Sequence, residues 1–296
     1  MFPIIPANSV AEEAGNDEGI FGFGADPYYA GYTNLISNTG VVSSDVAAVG
    51  TARAKPSACE YGGDKGIFGY GTTGSSVSMT NLVSNTGVVS SDVTGVGTAR
   101  NELAACSYGS DKGIFGFGNG PVSMTNLVSN AGVVASDTAG VGTARRTLAA
   151  CEFGGDKAIF GFGHDGSYAS TSNLVSNTGV VASDQAATTG TARAYLTACS
   201  FGEDKGIFGF GYDGSNYSLT NLVSNAGVVA SDTAGVGTAR RSIAATQYGE
   251  DKGIFGYGEN GGNSSLTNLV SNVGVVASDT AGVGTAREGP AACSFN

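Results

Sequence analysis

Seven of the 12 tyrosines and the single histidine lie in short segments that also carry Ser, Gly, Asn and Asp. The candidate residues are Tyr28, Tyr29, Tyr32, His164, Tyr168, Tyr195, Tyr212, Asp213 and Tyr217. Tyrosine offers rigid contact area with a polar end, and small polar residues supply adaptable hydrogen bonds, so this composition is typical of binding loops. Ordinary solvent-exposed turns have a similar polar composition, and both interpretations stay open at this point.

The sequence does not indicate a catalytic or metal site. A copper site built from His and Tyr ligands needs more than one histidine. A Ser-His-Asp site would have to use His164, which has no partner motif beside it. The repeated pattern Gly-x-Phe-Gly-x-Gly precedes another strand-like segment rather than a helix, so it is not a dinucleotide fingerprint. We therefore expect no catalytic residue, no metal and no cofactor.

An internal repeat positions these segments. Six copies are anchored on Ile20, Ile67, Ile114, Ile159, Ile207 and Ile254. The spacings between successive anchors are 47, 47, 45, 48 and 47 residues. A period in this range predicts a series of like supersecondary units, each of which buries its apolar face against its neighbours.

Each repeat offers four short strand-like segments and no helical period. In one copy they span residues 103–109, 113–118, 124–130 and 132–137, and turn residues separate them. Four strands in about 47 residues are typical of one blade of a β-propeller. The sequence therefore predicts an all-β, six-bladed β-propeller with four antiparallel strands per blade.

The second segment of each repeat alternates glycine with aromatic residues. Strand alternation places Ile114, Gly116 and Gly118 on one face and Phe115 and Phe117 on the other. We expect glycine to leave room for the aromatic side chains of a neighbouring blade.

The two ends of the chain are complementary. The first repeat lacks the small-residue strand that opens the other repeats, and residues 290–296 supply such a strand with no repeat behind it. We predict that this C-terminal inner strand joins the first blade and closes the ring, which removes an open sheet edge. The expected domains are an N-terminal extension, residues 1–15, and the propeller, residues 16–296.

The repeat resembles the kelch repeat. The matching features are Thr-Ala-Arg, a variable tripeptide, a small apolar strand, a turn and an Ile-aromatic strand that ends in glycine, with a loop such as 212–217 after it. The resemblance covers residues 16–296 and implies a propeller fold. The core Thr-Asn-Leu-Val-Ser-Asn-Thr-Gly-Val-Val, at residues 80–89, looks like kelch-type propellers that phages encode in virion or tail proteins.

The six copies differ in two places. One is the loop after the second strand, here called the variable loop: residues 25–32, 72–79, 119–124, 164–171, 212–219 and 259–266. The other is the tripeptide after each Thr-Ala-Arg. Strand parity puts both on one side of the disc, the variable face. The Asp-Lys and Ser-Asn-x-Gly turns, which hardly change, fall on the opposite side, the steady face.

Charge and cysteine usage restrict the partners. A net charge of −11 argues against binding to nucleic acid or to an anionic membrane. The five cysteines at equivalent positions indicate small buried residues rather than disulfides or zinc ligands. Each repeat carries one Arg and one Asp at fixed positions. The six arginines either line one mouth of the channel and hold an anion, or they pair with the aspartates between blades. We favour pairing.

These observations favour a non-enzymatic structural or binding propeller. Through the resemblance we expect a phage virion or tail component, made in the host cytoplasm. Its variable face would bind a glycan or protein receptor, and its steady face would bind other virion proteins. The alternatives are an intracellular, cytoplasmic kelch-like adaptor for proteins and a glycan-active propeller enzyme.

Overall fold

Six repeated antiparallel sheets make up the fold. The structure, a computed structural model, describes residues 17–47, 49–186 and 190–295. The predicted extension at residues 1–15 lies outside this range. Within the described ranges the chain is all-β without a helix, and each repeat has one main antiparallel sheet, with three strands in five repeats and four in the first. The all-β prediction and the sixfold repetition are confirmed, and this architecture fits a β-propeller.

Each sheet contains an inner, a middle and an outer strand, and the middle strand pairs with both others. The inner strands are Ser57–Tyr61, Ala104–Tyr108, Ala149–Phe153, Thr197–Phe201, Ala244–Tyr248 and Ala291–Phe295. The middle strands are Glu18–Gly22, Lys65–Gly69, Lys112–Gly116, Lys157–Gly161, Lys205–Tyr212 and Lys252–Gly256. The outer strands are Tyr32–Ile36, Thr80–Val83, Thr125–Val128, Ser172–Val175, Asn216–Val223 and Thr267–Val270. The first repeat adds a small hairpin, Ala25–Asp26 with Tyr28–Tyr29, and the strand Val46–Ala47.

The prediction of four strands per blade is wrong. In most repeats the fourth segment lies beside the outer strand but makes only isolated bridges, such as Val128 with Val134 and Thr125 with Thr138. Side-chain hydrogen bonds replace part of the backbone hydrogen bonding that a regular strand pair would make. Asn126 donates through its amide to the Ala135 carbonyl at 3.0 Å. Only the first repeat has a short fourth strand, Val46–Ala47.

The predicted alternation of aromatic faces is also wrong. Phe117 has a φ of 65°, a left-handed conformation that reverses the side on which its side chain lies. Its ring packs on Phe160 of the next repeat, with the centroids 5.1 Å apart. Phe115 packs instead on Tyr70 of the preceding repeat, also at 5.1 Å. The two aromatic residues of one repeat therefore join its sheet to both neighbours.

Glycine makes room for these contacts, as the sequence predicted. A Cβ added to Gly116 would lie 2.7 Å from Cζ of Phe160. The same distance separates such a Cβ on Gly69 from Cζ of Phe115. Each phenylalanine thus lies directly on the backbone of the preceding sheet.

We expect Gly116→Ala to destabilise the protein by about 1–3 kcal/mol, because a well-packed ring must shift to admit the methyl group. Gly262→Ala is the matched control, since no atom lies within 4 Å of its added Cβ and its φ is not positive. Chemical denaturation of both variants measures the effect. Equal unfolding midpoints for the two variants would contradict this account of the packing.

A buried arginine connects each repeat to the next. Arg100 is 2% exposed and donates to the Phe117 carbonyl at 2.8 Å and to the Asn126 side-chain oxygen at 2.6 Å. Its guanidinium also lies 3.7 Å from the Asp137 carboxylate. That carboxylate in turn accepts a hydrogen bond from the Thr98 hydroxyl at 2.7 Å. We call this set the arginine clasp, and it agrees with the predicted pairing of Arg and Asp between repeats.

The last repeat contacts the first through the same elements. Arg287 donates to the Asn34 side-chain oxygen at 2.7 Å, and the Thr285 hydroxyl donates to Asp45 at 2.6 Å. The strand Ala291–Phe295 pairs with Glu18–Gly22 in a five-residue antiparallel register. It also contacts the inner strand Ser57–Tyr61 of the following repeat.

The inner strands of all six sheets surround one narrow cavity of about 100 Å³, lined mainly by small residues such as Ala104 and Ala149. The five cysteines are buried and free. Burial raises the pKa of the Cys199 thiol to about 12, so it stays protonated near neutral pH. These cysteines pack as small apolar residues.

Candidate ligand-binding site

The two variable segments of neighbouring repeats lie side by side. Arg146 forms a backbone bridge with His164, and Arg241 forms the equivalent bridge with Glu259. Each bridge joins a tripeptide to the variable loop of the next repeat. The sequence variation is therefore concentrated in segments that contact each other.

The second residue of each tripeptide has a left-handed backbone. Its φ lies between 52° and 57° in all six repeats, at Lys55, Glu102, Thr147, Tyr195, Ser242 and Gly289. Successive residues of this set are joined by backbone hydrogen bonds. Tyr195 N donates to the Thr147 carbonyl at 2.9 Å, and Ser242 N donates to the Tyr195 carbonyl at 3.0 Å. These bonds fix the backbone from which the side chains of the site extend.

A cavity of about 300 Å³ opens among these segments, and we call it the basin. Its lining residues are Lys55, Arg146, His164, Tyr168, Tyr195, Tyr212, Arg241, Ser242, Glu259 and Glu288. They come from tripeptides and variable loops alone, so the basin lies on the variable face. Its size matches the lower end of the range for small-ligand pockets, about 300–1,000 Å³.

Aromatic rings form one connected wall of the basin. The His164 and Tyr168 ring centroids are 5.3 Å apart, and those of Tyr168 and Tyr212 are 6.2 Å apart. Tyr195 continues the series, 6.5 Å from Tyr212. All three contacts are edge-to-face, an arrangement that aromatic pairs favour. The wall therefore combines fixed apolar surface with phenol oxygens.

Charged residues and Ser242 line the rest of the basin. The guanidinium of Arg241 lies 4.4 Å from the centroid of the Tyr212 ring and pairs through Nε with Glu259. Lys55 pairs with Glu102 at 2.6 Å, and Arg146 approaches the same carboxylate at 3.4 Å. The basin thus places cationic groups beside aromatic rings.

Glu288 lies between these charges. Burial raises the pKa of its carboxyl group, and the nearby Glu259 carboxylate raises it further. Lys55 and Arg241 oppose this change. The carboxyl group is therefore easier to protonate than an ordinary glutamate.

The structure brings together four of the nine residues predicted for the site: His164, Tyr168, Tyr195 and Tyr212. Tyr28, Tyr29 and Tyr32 lie in the first repeat outside the basin and are 83%, 42% and 40% exposed. Tyr217 donates through its hydroxyl to Asp213 at 3.1 Å, and neither residue lines the basin. The sequence prediction missed all the charged residues of the lining.

A second, smaller cavity of about 40 Å³ is surrounded by the other ends of the inner strands and includes Glu60 and Glu152. Burial raises the pKa of Glu152 to about 8, and the Glu60 carboxylate contributes to the shift. The Ser107 hydroxyl donates to Glu152 at 2.7 Å and partly offsets it.

This pKa shift predicts a pH dependence of stability. An unfolded glutamate releases its proton near pH 4.5, whereas folded Glu152 keeps it until about pH 8, so the folded state binds more protons between these values. Stability should therefore fall as the pH rises from about 5 to 8. Urea unfolding midpoints across this range measure it. Glu152→Gln should flatten the profile, whereas Glu203→Gln, at an exposed steady turn, should leave the slope unchanged. An unchanged slope in Glu152→Gln would contradict the assignment.

Among the described residues, no group of three or more His, Cys, Asp or Glu side chains is arranged to hold a metal ion. The described ranges also contain no helix with the length and apolarity needed to cross a membrane. No family model matches the sequence, and a search of curated proteins finds no match.

Proposed function

We propose that the six sheets are the blades of a six-bladed, kelch-type β-propeller, closed where the C-terminal strand completes the first blade. The arginine clasp supports this arrangement because it recurs between the last repeat and the first. The pairing of Ala291–Phe295 with Glu18–Gly22 supports it as well. On this proposal the protein is a rigid, non-enzymatic binding module.

The ligand of the variable face is a carbohydrate bound in the basin. The single observation that carries this proposal is the lining of the basin, a connected set of tyrosines beside charged side chains. A sugar ring presents an apolar C–H face that packs on aromatic rings. Its hydroxyl groups then pair with Glu, Arg, Ser and Tyr side chains at the edge.

The same proposal places the protein in a phage virion or tail. It is supported by the resemblance of the repeated core to kelch-type propellers that phages encode. Docking to other virion proteins would use the steady face. Six equivalent valines there are 63–65% exposed: Val41, Val88, Val133, Val180, Val228 and Val275. A ring of identical apolar side chains suits a partner with matching symmetry.

Binding to a glycan array tests the carbohydrate proposal. We expect Tyr212→Ala to weaken binding at least tenfold, because it removes the ring that contacts Tyr168, Tyr195 and Arg241. Tyr28→Ala is the matched control, since this exposed tyrosine lies outside the basin. Binding that is equally sensitive to both substitutions would contradict the site. Capture of proteins but of no glycan would favour the adaptor alternative instead.

A further inference from the structure

The lysines and arginines of the chain divide into two groups. Eleven of the 14 occupy repeated structural positions. The clasp arginines are Arg53, Arg100, Arg145, Arg193, Arg240 and Arg287. The lysines of the steady turns are Lys65, Lys112, Lys157, Lys205 and Lys252. The remaining three, Lys55, Arg146 and Arg241, all line the basin.

The basin therefore differs in charge from the rest of the protein. Its lining carries three cationic side chains against two carboxylates, Glu259 and Glu288, on a chain with a net charge of −11. The Glu102 carboxylate, which pairs with Lys55 and Arg146, balances the third cation. On an acidic protein the basin is therefore less negative than its surroundings, so an anion meets less repulsion there.

Exposure strengthens this contrast. The side chains of Lys55, Arg146 and Arg241 are 35%, 34% and 34% exposed. Their partners lie deeper, with Glu102 at 7% and Glu259 at 21%. In each pair the cation is the more exposed member. The three cations are therefore open to a ligand in the basin, together with the lining carboxylates Glu259 and Glu288.

Arg146 is the cation held most loosely. Both of its side-chain contacts use one terminal nitrogen, at 3.4 Å from Glu102 and 3.4 Å from Asn119. These distances are long for charged hydrogen bonds, which are usually about 2.7–2.9 Å. A guanidinium has five N–H donors in a planar fork that matches the two oxygens of a carboxylate. The ligand of the basin can supply those oxygens.

We propose that the glycan bound in the basin is acidic and that its carboxylate pairs with Arg146, with Lys55 and Arg241 adding positive charge. This inference rests on the proposed carbohydrate function. The sugar ring packs on the tyrosine wall, and its carboxylate pairs with the cations that line the basin beside that wall. A singly charged group suits the site better than a dianion, because Glu259 and Glu288 also line it.

The test uses three acidic probes, namely hyaluronan oligosaccharide, oligogalacturonate and sialyllactose, each paired with its carboxyl-reduced form. Calorimetric titration at low and high salt gives the affinities. We expect at least one acidic probe to bind ten or more times tighter than its reduced form, and more weakly at high salt. Arg146→Gln should abolish that preference. Lys157→Gln, at a steady turn, should keep it.

The outcomes separate this inference from the proposed function. Equal binding of acidic and reduced probes that is still lost in Tyr212→Ala would overturn the acidic assignment and keep the carbohydrate site. If a sulfated oligosaccharide bound more tightly than all carboxylate probes, the assignment of a carboxylate as the recognised group would be wrong. A preference that survives in a folded Arg146→Gln, with folding checked by thermal melting, would remove Arg146 from the site. No binding of any probe would reject both proposals.

Discussion

Deletion of residues 290–296 is expected to abolish cooperative folding. The loss removes the strand that pairs with Glu18–Gly22 and exposes that middle strand as an open edge. It also removes Cys293, which is 2% exposed, and Phe295, which is fully buried. Loss of one buried phenylalanine costs about 3–5 kcal/mol, and a whole domain has only about 5–15 kcal/mol of stability. The truncated chain should therefore aggregate or lose cooperative unfolding.

Size-exclusion chromatography and thermal melting measure this effect. The control is a circular permutant in which residue 296 is joined to residue 16. This permutant keeps the strand Ala291–Phe295 and connects it to Glu18–Gly22 by a short turn, as inner and middle strands are connected in the other repeats. We expect the permutant to elute like the full chain and to unfold cooperatively. A truncated chain that elutes and melts like the full chain would contradict the role of the last strand.

Replacement of one clasp arginine should have the second-largest effect. Arg100→Met leaves the Phe117 carbonyl, the Asn126 side-chain oxygen and the Asp137 carboxylate without their cationic partner. Each buried hydrogen bond from a charged group contributes about 1.5–3 kcal/mol, so loss of the two bonds to Phe117 and Asn126 should cost about 3–6 kcal/mol, and the pair with the 30% exposed Asp137 adds little. Stacking over the Tyr70 ring, 4.6 Å from the guanidinium, is lost as well.

Guanidinium chloride unfolding gives the size of the loss. Lys112→Met, at an exposed steady turn, is the matched control and should change stability by less than about 0.5 kcal/mol. Arg100→Lys should not restore the stability, since an ammonium group cannot reproduce the planar set of N–H donors. A stable Arg100→Met would mean that packing between the sheets holds the repeats together without the clasp.

Much of the fold could be predicted from the sequence because the same strand pattern occurs in all six repeats. Inner, middle and outer strands fall close to the predicted segments, and glycine admits the neighbouring phenylalanine as expected. Two details depended on three-dimensional context. The left-handed φ of Phe117 is rare for an aromatic residue, and strand periodicity alone does not indicate it. The fourth segment makes only isolated bridges to the outer strand in most repeats, and its strand-like sequence does not indicate this.

The candidate site was only partly accessible. Composition pointed to tyrosines, and three of them form the aromatic wall. It did not distinguish Tyr212 in the basin from Tyr28 outside it, because that difference depends on which loops lie next to each other in the folded chain. A signal for the charged residues was present in the sequence. Lys55, Arg146 and Arg241 are the only Lys or Arg residues outside the repeated positions.

Hydrogen–deuterium exchange, with and without the tightest-binding oligosaccharide of the panel, tests the central claim most directly. We predict that binding slows exchange in the segments that form the basin, residues 164–168, 194–196 and 241–243. The steady turns, such as residues 109–112 and 129–132, should exchange at unchanged rates. Protection confined to the steady turns, or no protection by any oligosaccharide, would contradict the assignment of ligand binding to the variable face.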